Sequence, residues 1–529
     1  MGQALRNIGI VSGLTLFSRV LGLGREMAIA AAFGATALGS AFVTAFTLPN
    51  LFRRMLGEGA LTSALVPTLQ EETRREGDAG ALRLVSEVAT WTFIVSGAIT
   101  ALAMGLFGAH GWWGPRLGGL GLEADTVGRW VLGARLATVL FPYLVMVCLA
   151  AVFSAALQTR GRFLEPALNP VWLNVSMVGL LAAGAWLGGP DDAEARMRGL
   201  CAGVLAGGFL QMAVPAWALT RLGWKPRWAP TLGPGVRQIA RLMAPALFGS
   251  AIYLINMTVS RLFALSINDG AATVLNFSTR VMELPIGVFA IAVATVVFPA
   301  IARHVAEGRM DRLAADYRHG MRLILLVNVP AAAGLLVLAE PITRVLFQRG
   351  EFTAEDTAAM APVLAASALA LPLVAYVSLT LRVFYARKDM RTPVRAAGWS
   401  FVVNVAASVV LMRWFGVVGL ALASTLAAAT QAAYLQAKLA GEEDGLRFRH
   451  LGAHLVKVVV ASVVMAGLVA LVWWAWRGGA GDGGSSWVEL AGLAAAVAAG
   501  VAVYAACAWM LRIEGREELV ALVRRKLRR

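Results

Sequence analysis

FSRVLGLGRE (residues 17–26), an apolar link, and LPNLFRRMLGEGALTSALVP (48–67) make up the stretch on which the chain turns. It is hydrophobic enough to sit in a bilayer, yet it carries Arg19, Arg25, Glu26, Arg53, Arg54 and Glu58. One Arg at the centre of a membrane helix costs about 2.5–3.5 kcal/mol on insertion scales. Four that all faced lipid would cost roughly 10 kcal/mol or more. Such residues are tolerated when they point into a hydrated, protein-lined cavity or pair with one another. A cationic cavity inside a membrane protein is a site for an anion.

The remainder of the chain supplies the membrane. Of 529 residues, 58% are hydrophobic and 15% charged, with a mean hydropathy of +0.69; soluble chains carry about 25% charged residues. Apolar runs of about 20 residues, each long enough to cross the hydrocarbon core, recur along the whole length. No alternating strand pattern of the barrel type is present. The expected fold is all-α and polytopic, with fourteen spans near 8–32, 35–57, 83–109, 130–157, 166–188, 199–220, 240–265, 272–301, 320–340, 360–385, 394–413, 416–438, 454–475 and 487–511. The first has the outline of a secretory signal, but Arg19 and Arg25 interrupt it where a cleavage region would lie, so it is read as a span.

Alternating these spans across the bilayer accounts for the net charge of +16. With the N-terminus cytoplasmic, the inner loops hold about 30 of the 47 Lys and Arg, and the outer loops about 8. That asymmetry puts both termini in the cytoplasm, and RRKLRR (524–529) suits a juxtamembrane segment near anionic lipid. Basic residues scattered over short loops do not make a nucleic-acid surface. Cys148, Cys201 and Cys507 are isolated in apolar spans and form neither a disulfide framework nor a metal motif.

The chain repeats itself. Leu48-Pro49 leads to Val66-Pro67 and a polar segment; Leu284-Pro285 leads to Phe298-Pro299 and another. FPYLVMVCLAAVFSAALQTRGRF, from Phe141, is matched by LPLVAYVSLTLRVFYARKDM, from Leu371, and Asn174 stands as far beyond Pro142 as Asn404 does beyond Pro372. Six spans per repeat give both halves one orientation, an architecture that places a transport site at the repeat interface near mid-membrane. The expected lobes are 1–225 and 226–440, joined by the connector RLGWKPRWAPTLGPG (221–235). A terminal helix pair with a basic tail, 441–529, follows the polar linker GEEDGLRFRH (441–450).

In the second half, NFSTRVMELP places Arg280 and Glu283 three residues apart on one helix face. They are either a structural intrahelical pair or a contribution to the same cleft as Arg53, whose segment is the repeat partner. Arg261 and Arg382 lie in neighbouring spans. There is no phosphate-binding loop of the G-x-x-x-x-G-K-[ST] type, which argues against ATP as the energy source. The five His residues lack metal-ligand spacing, so no metal or cofactor is expected. Gly203 with Gly207 reads as close helix packing. Asn174-Val175-Ser176 matches a glycosylation pattern but falls within a span.

The runs FSRVLGLGRE, LPNLFRRMLGEGALTSALVP, STRVMELPIGVF (278–289), LFQRGEFT (346–353) and FYARKDMRTPV (384–394) together resemble the MviN/MurJ family of lipid II flippases, within the multidrug/oligosaccharidyl-lipid/polysaccharide exporter superfamily. The resemblance covers essentially the whole chain. It implies two six-helix lobes around a central cavity, and two last helices forming a groove for a lipid tail. It also implies export of the undecaprenyl-pyrophosphate-linked disaccharide pentapeptide, lipid II, to the outer leaflet of the bacterial plasma membrane. By matching position the cavity cations would be Arg19, Arg25, Arg53 and Arg280, with Ser18, Glu26, Asn50, Glu58 and Glu283 as neighbours. Family members can carry an acidic residue where this chain has Ser40, so any counter-ion role there passes to Glu26 or Glu58, or is absent. The coupling ion is left open.

Physics and resemblance meet on the substrate. Guanidinium groups bind pyrophosphate through charge-assisted, often bidentate hydrogen bonds. Moving about two negative charges outward gains roughly 2.3 kcal/mol per charge per 100 mV of inside-negative potential, so the membrane voltage could drive export. The nearest alternative is an exporter of another polyprenyl-linked glycan. A drug/cation antiporter fits less well, because an Arg-lined cavity repels cations. A membrane glycosyltransferase would need an acidic constellation in a sizeable loop, and none is long enough. The expected protein is a monomeric transporter and not an enzyme.

Overall fold

The computed structural model describes residues 2–52, 61–119, 121–189, 191–286, 291–480 and 486–517. Arg53, Arg54 and Glu58 lie outside them. Among the described residues every regular element is helical and there is no strand. Among the described residues, eight helices are long and apolar enough to cross a membrane, or nine if one bent pair counts as a span. The chain divides into two compact units, 1–273 with 349–352, and 274–348 with 353–529.

Unit 1 contains α1 (Gly2–Phe33), α2 (Ala37–Phe52), α3 (Leu61–Gly108), α4 (His110–Gly119), α5 (Ala124–Leu140), α6 (Pro142–Gln158), α7 (Leu164–Gly188), α8 (Ala193–Thr220) and α9 (Pro234–Ile267). Its breaks have local causes. Gly77, at φ 70°, bends α3 between a polar first half and an apolar second half, a conformation costly for any residue with a Cβ. Pro142 opens α6, where its missing N–H costs nothing, and the chain bends by 43° between α5 and α6. Leu65, Leu69, Val85, Val152, Leu157, Leu219 and Trp224 form a buried core shared by α3, α6, α8 and the connector. The connector is held along α3, since Trp224 Nε1 donates to Ser86 Oγ at 2.9 Å and Trp91 Nε1 to the Thr231 carbonyl at 3.2 Å.

The closest helix contact in unit 1 is between α7 and α8, and glycine makes it. A Cβ on Gly203 would lie 2.7 Å from Met177 Cα, and one on Gly199 would lie 2.3 Å from the Leu180 carbonyl oxygen. Within lipid no hydrophobic force drives helices together, so backbone approach through small residues supplies the packing. The Gly203/Gly207 spacing does this here, and it leaves another face of α7 to meet α1.

Unit 2 contains α10 (Ala271–Pro285), whose first turn belongs to unit 1, then α11 (Ile291–Ala306), α12 (Met310–Val337), α13 (Ala339–Phe347), α14 (Ala354–Ala368), α15 (Leu371–Ala386), α16 (Arg391–Glu442), α17 (Arg449–Ala480) and α18 (Ser486–Met510). Gly416, at φ 54°, divides α16, and two of the expected spans fall on either side of it. The core is built on α12, where Leu313, Tyr317, Met321 and Ile324 meet Leu379 and Phe384 of α15 and Leu435 and Leu439 of α16. The terminal pair α17 and α18 packs on α12 and α13 through Leu338, Met465, Val469, Trp473 and Ala496. Ion pairs from Arg344 to Glu489 at 3.4 Å and from Arg477 to Glu340 at 3.3 Å fix one end of that contact.

Candidate functional site

The FSRVLGLGRE run lies entirely within α1. Ser18 and Arg25 are seven residues apart and therefore share a face. Ser18 and Glu26 are buried, the Arg25 side chain is 11% exposed, and Arg19 is exposed. Arg25 Nη2 pairs with Glu26 Oε1. Arg25 Nη1 donates to Asn174 Oδ1 at 3.0 Å and lies 3.9 Å from Met177 Sδ. Asn174 Nδ2 in turn donates to the Ser18 carbonyl at 3.2 Å. Arg25 Nε has no hydrogen-bond partner among the described residues.

This is an expensive arrangement held in place by its partners. Removing two charges from water costs several kcal/mol per ion even after relaxation, and their mutual attraction repays it only with good geometry and further hydrogen bonds. Glu26 supplies the charge, while Asn174 supplies a neutral acceptor. Nε is a buried donor that the described residues leave uncommitted.

Arg280 and Glu283, one turn apart on α10, form an ion pair at 2.8 Å and are both partly exposed. The intrahelical pairing considered from the sequence is thus formed. Arg25 belongs to unit 1 and Arg280 to unit 2, and each carries a carboxylate on its own helix. Arg261 is buried and donates to the Ala272 carbonyl at 3.1 Å; Arg382 stands 5.4 Å from the centre of the Phe298 ring. Asn50 is half-buried, just after Pro49 within α2. Ser40 is fully buried, 3.1 Å from Thr273 Oγ1, and accepts from the Thr273 backbone N–H at 3.3 Å. A neutral hydroxyl engaged in this way supplies no counter-ion to the arginines.

Asn174 and Met177 are site residues that the pattern of charges does not select. In the sequence Asn174 stands out only as a repeat landmark and as the start of a glycosylation-like triplet. A stronger signal lies in its type and place. An amide in the middle of an apolar span has few partners in lipid, so it points into the protein and finds one there.

Residues 29–481 match the family described as lipid II flippase MurJ. A protein of Rhizobium meliloti (strain 1021) named probable lipid II flippase MurJ is 35% identical over 516 residues, 96% of this chain and 93% of its own length. The chain belongs to the MurJ family. Its fold is similar to that of a lipid II flippase MurJ solved in an inward closed conformation, with a TM-score of 0.74, 23% identity and coverage of 95% and 98% of the two chains. It is also similar in fold to an inward-facing multidrug resistance MATE transporter of the MOP superfamily, with a TM-score of 0.60, 14% identity and coverage of 80% and 95%. MurJ proteins are transporters and not enzymes, and this chain is an integral membrane protein of that class. The segment matching the MurJ family includes Asn174 and Arg280 and begins just beyond Arg25 and Glu26, while the Rhizobium MurJ aligns with almost the entire chain.

Proposed function

We propose that this protein is a lipid II flippase of the bacterial plasma membrane. It takes the disaccharide-pentapeptide head group of undecaprenyl-pyrophosphate-linked precursor from the inner leaflet and releases it at the outer leaflet by alternating access, for cell wall synthesis. The observation that carries this reading is the buried guanidinium of Arg25, held by Asn174 and Glu26 with Nε uncommitted, in a chain of the MurJ family. A diphosphate supplies the acceptors that such a group lacks, and guanidinium binds it through short charge-assisted bonds. Arg19, Arg25, Arg53 and Arg280 are the proposed contacts, with Ser18, Glu26, Asn50, Glu58 and Glu283 around them. The polyprenyl tail remains in lipid.

The lobes of this reading are 1–225 and 226–440, with 441–529 as an appended helix pair. Both termini are cytoplasmic, supported by the excess of Lys and Arg in alternate loops, and the protein acts as a monomer. Glu26 and Glu283 compete with the diphosphate for the two guanidinium groups. Each carboxylate therefore lowers affinity and favours release, as a carrier requires.

The test is genetic. In a host depleted of its own flippase, the wild-type chain restores growth, and Arg25→Ala and Arg280→Ala variants of equal abundance do not. Failure of the wild-type chain at normal abundance, with no transport of lipid II in proteoliposomes, refutes the reading.

A further inference from the structure

We infer that Asn174 is the positioning residue for Arg25: it sets the direction in which the guanidinium presents its remaining donors. This rests on the proposed reading of Arg25 as a diphosphate contact and deepens it.

Asn174 is buried on α7, and both ends of its amide are engaged on α1. The chemistry of the partners fixes which end is which. A guanidinium only donates, so the amide oxygen faces Arg25; a carbonyl only accepts, so the amide nitrogen faces Ser18. The amide thus bridges two points seven residues apart on one face of α1. Between them lies Gly22, where a Cβ would stand 3.7 Å from Asn174 Nδ2, an ordinary van der Waals distance, so the amide packs directly against this face of α1. Met177, one turn on from Asn174, places its sulfur 3.9 Å from the same guanidinium nitrogen.

The platform beneath the amide is rigid. Gly184, Gly199 and Gly203 bring α7 and α8 into backbone contact, with Met177 Cα itself against the Gly203 position. Asn174 is therefore carried on a helix whose backbone is packed directly against its neighbour. An asparagine suits the role better than an acid would. It holds Nη1 by hydrogen bonding without cancelling the charge, leaving Nε for an incoming oxygen. Glu26 is carried by the same helix as Arg25, whereas Asn174 holds the guanidinium from a different helix, α7.

The test uses the full-length protein in lipid nanodiscs, with lipid II as the probe and binding affinity and thermal unfolding both read. Asn174→Ala is expected to weaken lipid II binding about tenfold and, by leaving a part-buried guanidinium donor without its acceptor, to lower the unfolding temperature of the empty protein measurably. Asn174→Asp, nearly the same shape but a second carboxylate on Arg25, is expected to weaken binding further. In an Arg25→Ala background neither change has any additional effect on affinity, because nothing is left to aim. Unchanged affinity in Asn174→Ala, or the same loss with and without Arg25, overturns the inference and leaves Asn174 a packing residue. If the wild-type protein binds no lipid II, the functional reading is what fails. The Asn174–Arg25 coupling is then judged by a double-mutant cycle on unfolding: non-additive effects support it and strictly additive effects refute it.

Discussion

Gly161 and Lys388 occupy the same backbone conformation, at φ 74° and 60°, each just past the end of a helix in its own half of the chain. The hydrogen bonds around them match. Gly161 N donates to Gln158 O and Arg162 N to Leu157 O; Lys388 N donates to Tyr385 O and Asp389 N to Phe384 O. Both are left-handed helix endings of the Schellman kind, in which glycine is the usual residue. The repeat seen in the sequence is therefore also a repeat of local structure, down to single carbonyls at the ends of α6 and α15.

A lysine in the left-handed region costs about 1–2 kcal/mol relative to its right-handed form. Lys388→Gly is expected to raise stability by up to about 1 kcal/mol, offset in some measure by the freer unfolded chain. Gly161→Val is expected to lower it by more. Thermal unfolding of the purified proteins in one detergent reads both changes.

Asp389 accepts from the backbone N–H groups of Arg391 and Thr392, at 2.9 and 3.1 Å, as α16 begins. Partial burial raises its pKa, but the hydrogen bonds from Thr392 and Arg391 and the charge of Arg395 outweigh this and hold it below the usual 3.8. A pKa lowered on folding contributes stability above the unfolded value, lost as the pH falls through the folded one. Asp389→Ala is expected to cost about 1 kcal/mol at neutral pH, in line with lost caps. The gap between variant and wild type narrows below about pH 4, which parallel unfolding curves at neutral and acidic pH would reveal.

Glu26→Gln leaves Arg25 as a buried cation without its carboxylate. Breaking such a pair typically costs about 3–5 kcal/mol. The empty variant should unfold at a lower temperature than wild type, and lipid II should restore more stability to it than to wild type, because an anion replaces the missing charge. Release should slow with the tighter binding, so transport in proteoliposomes falls while affinity rises. A variant that binds lipid II more weakly than wild type contradicts the competition proposed for Glu26.

Gly203→Leu forces a side chain into backbone 2.7 Å away. Overpacking of this kind costs about 1–3 kcal/mol when the surroundings can yield, and backbone yields poorly. The expected result is a lower unfolding temperature together with weaker lipid II binding, since α7 carries Asn174. A control on the same helix, Gly179→Leu, where a Cβ would meet nothing within 4 Å, should alter neither.

The features of this fold that rest on composition are legible in the sequence. Long apolar runs fix the membrane and the helices, and a charge that lipid cannot accommodate points to α1. Asn174 is harder to see because its partners, Ser18 and Arg25, lie far away in the sequence, and only helix packing brings them together. The pairing of Arg25 with a carboxylate is also hidden. Glu26 is visible beside Arg25 in the sequence, but adjacent residues on a helix point in different directions, and only rotamers decide whether they meet. Ser40 shows the converse: the sequence marks it only as a missing acid, while in the structure its hydroxyl is satisfied by contact with Thr273.

The partner of Arg25 is the next residue in the chain. No sliding or rocking of helices can separate neighbours on a single backbone, and on α10 Arg280 and Glu283 are tied almost as closely. Whatever displacement α1 and α10 undergo when the carrier returns empty, these paired charges move as wholes and take no net electrical charge from those sites across the bilayer. The work done by the transmembrane voltage at these positions then falls on the cargo alone.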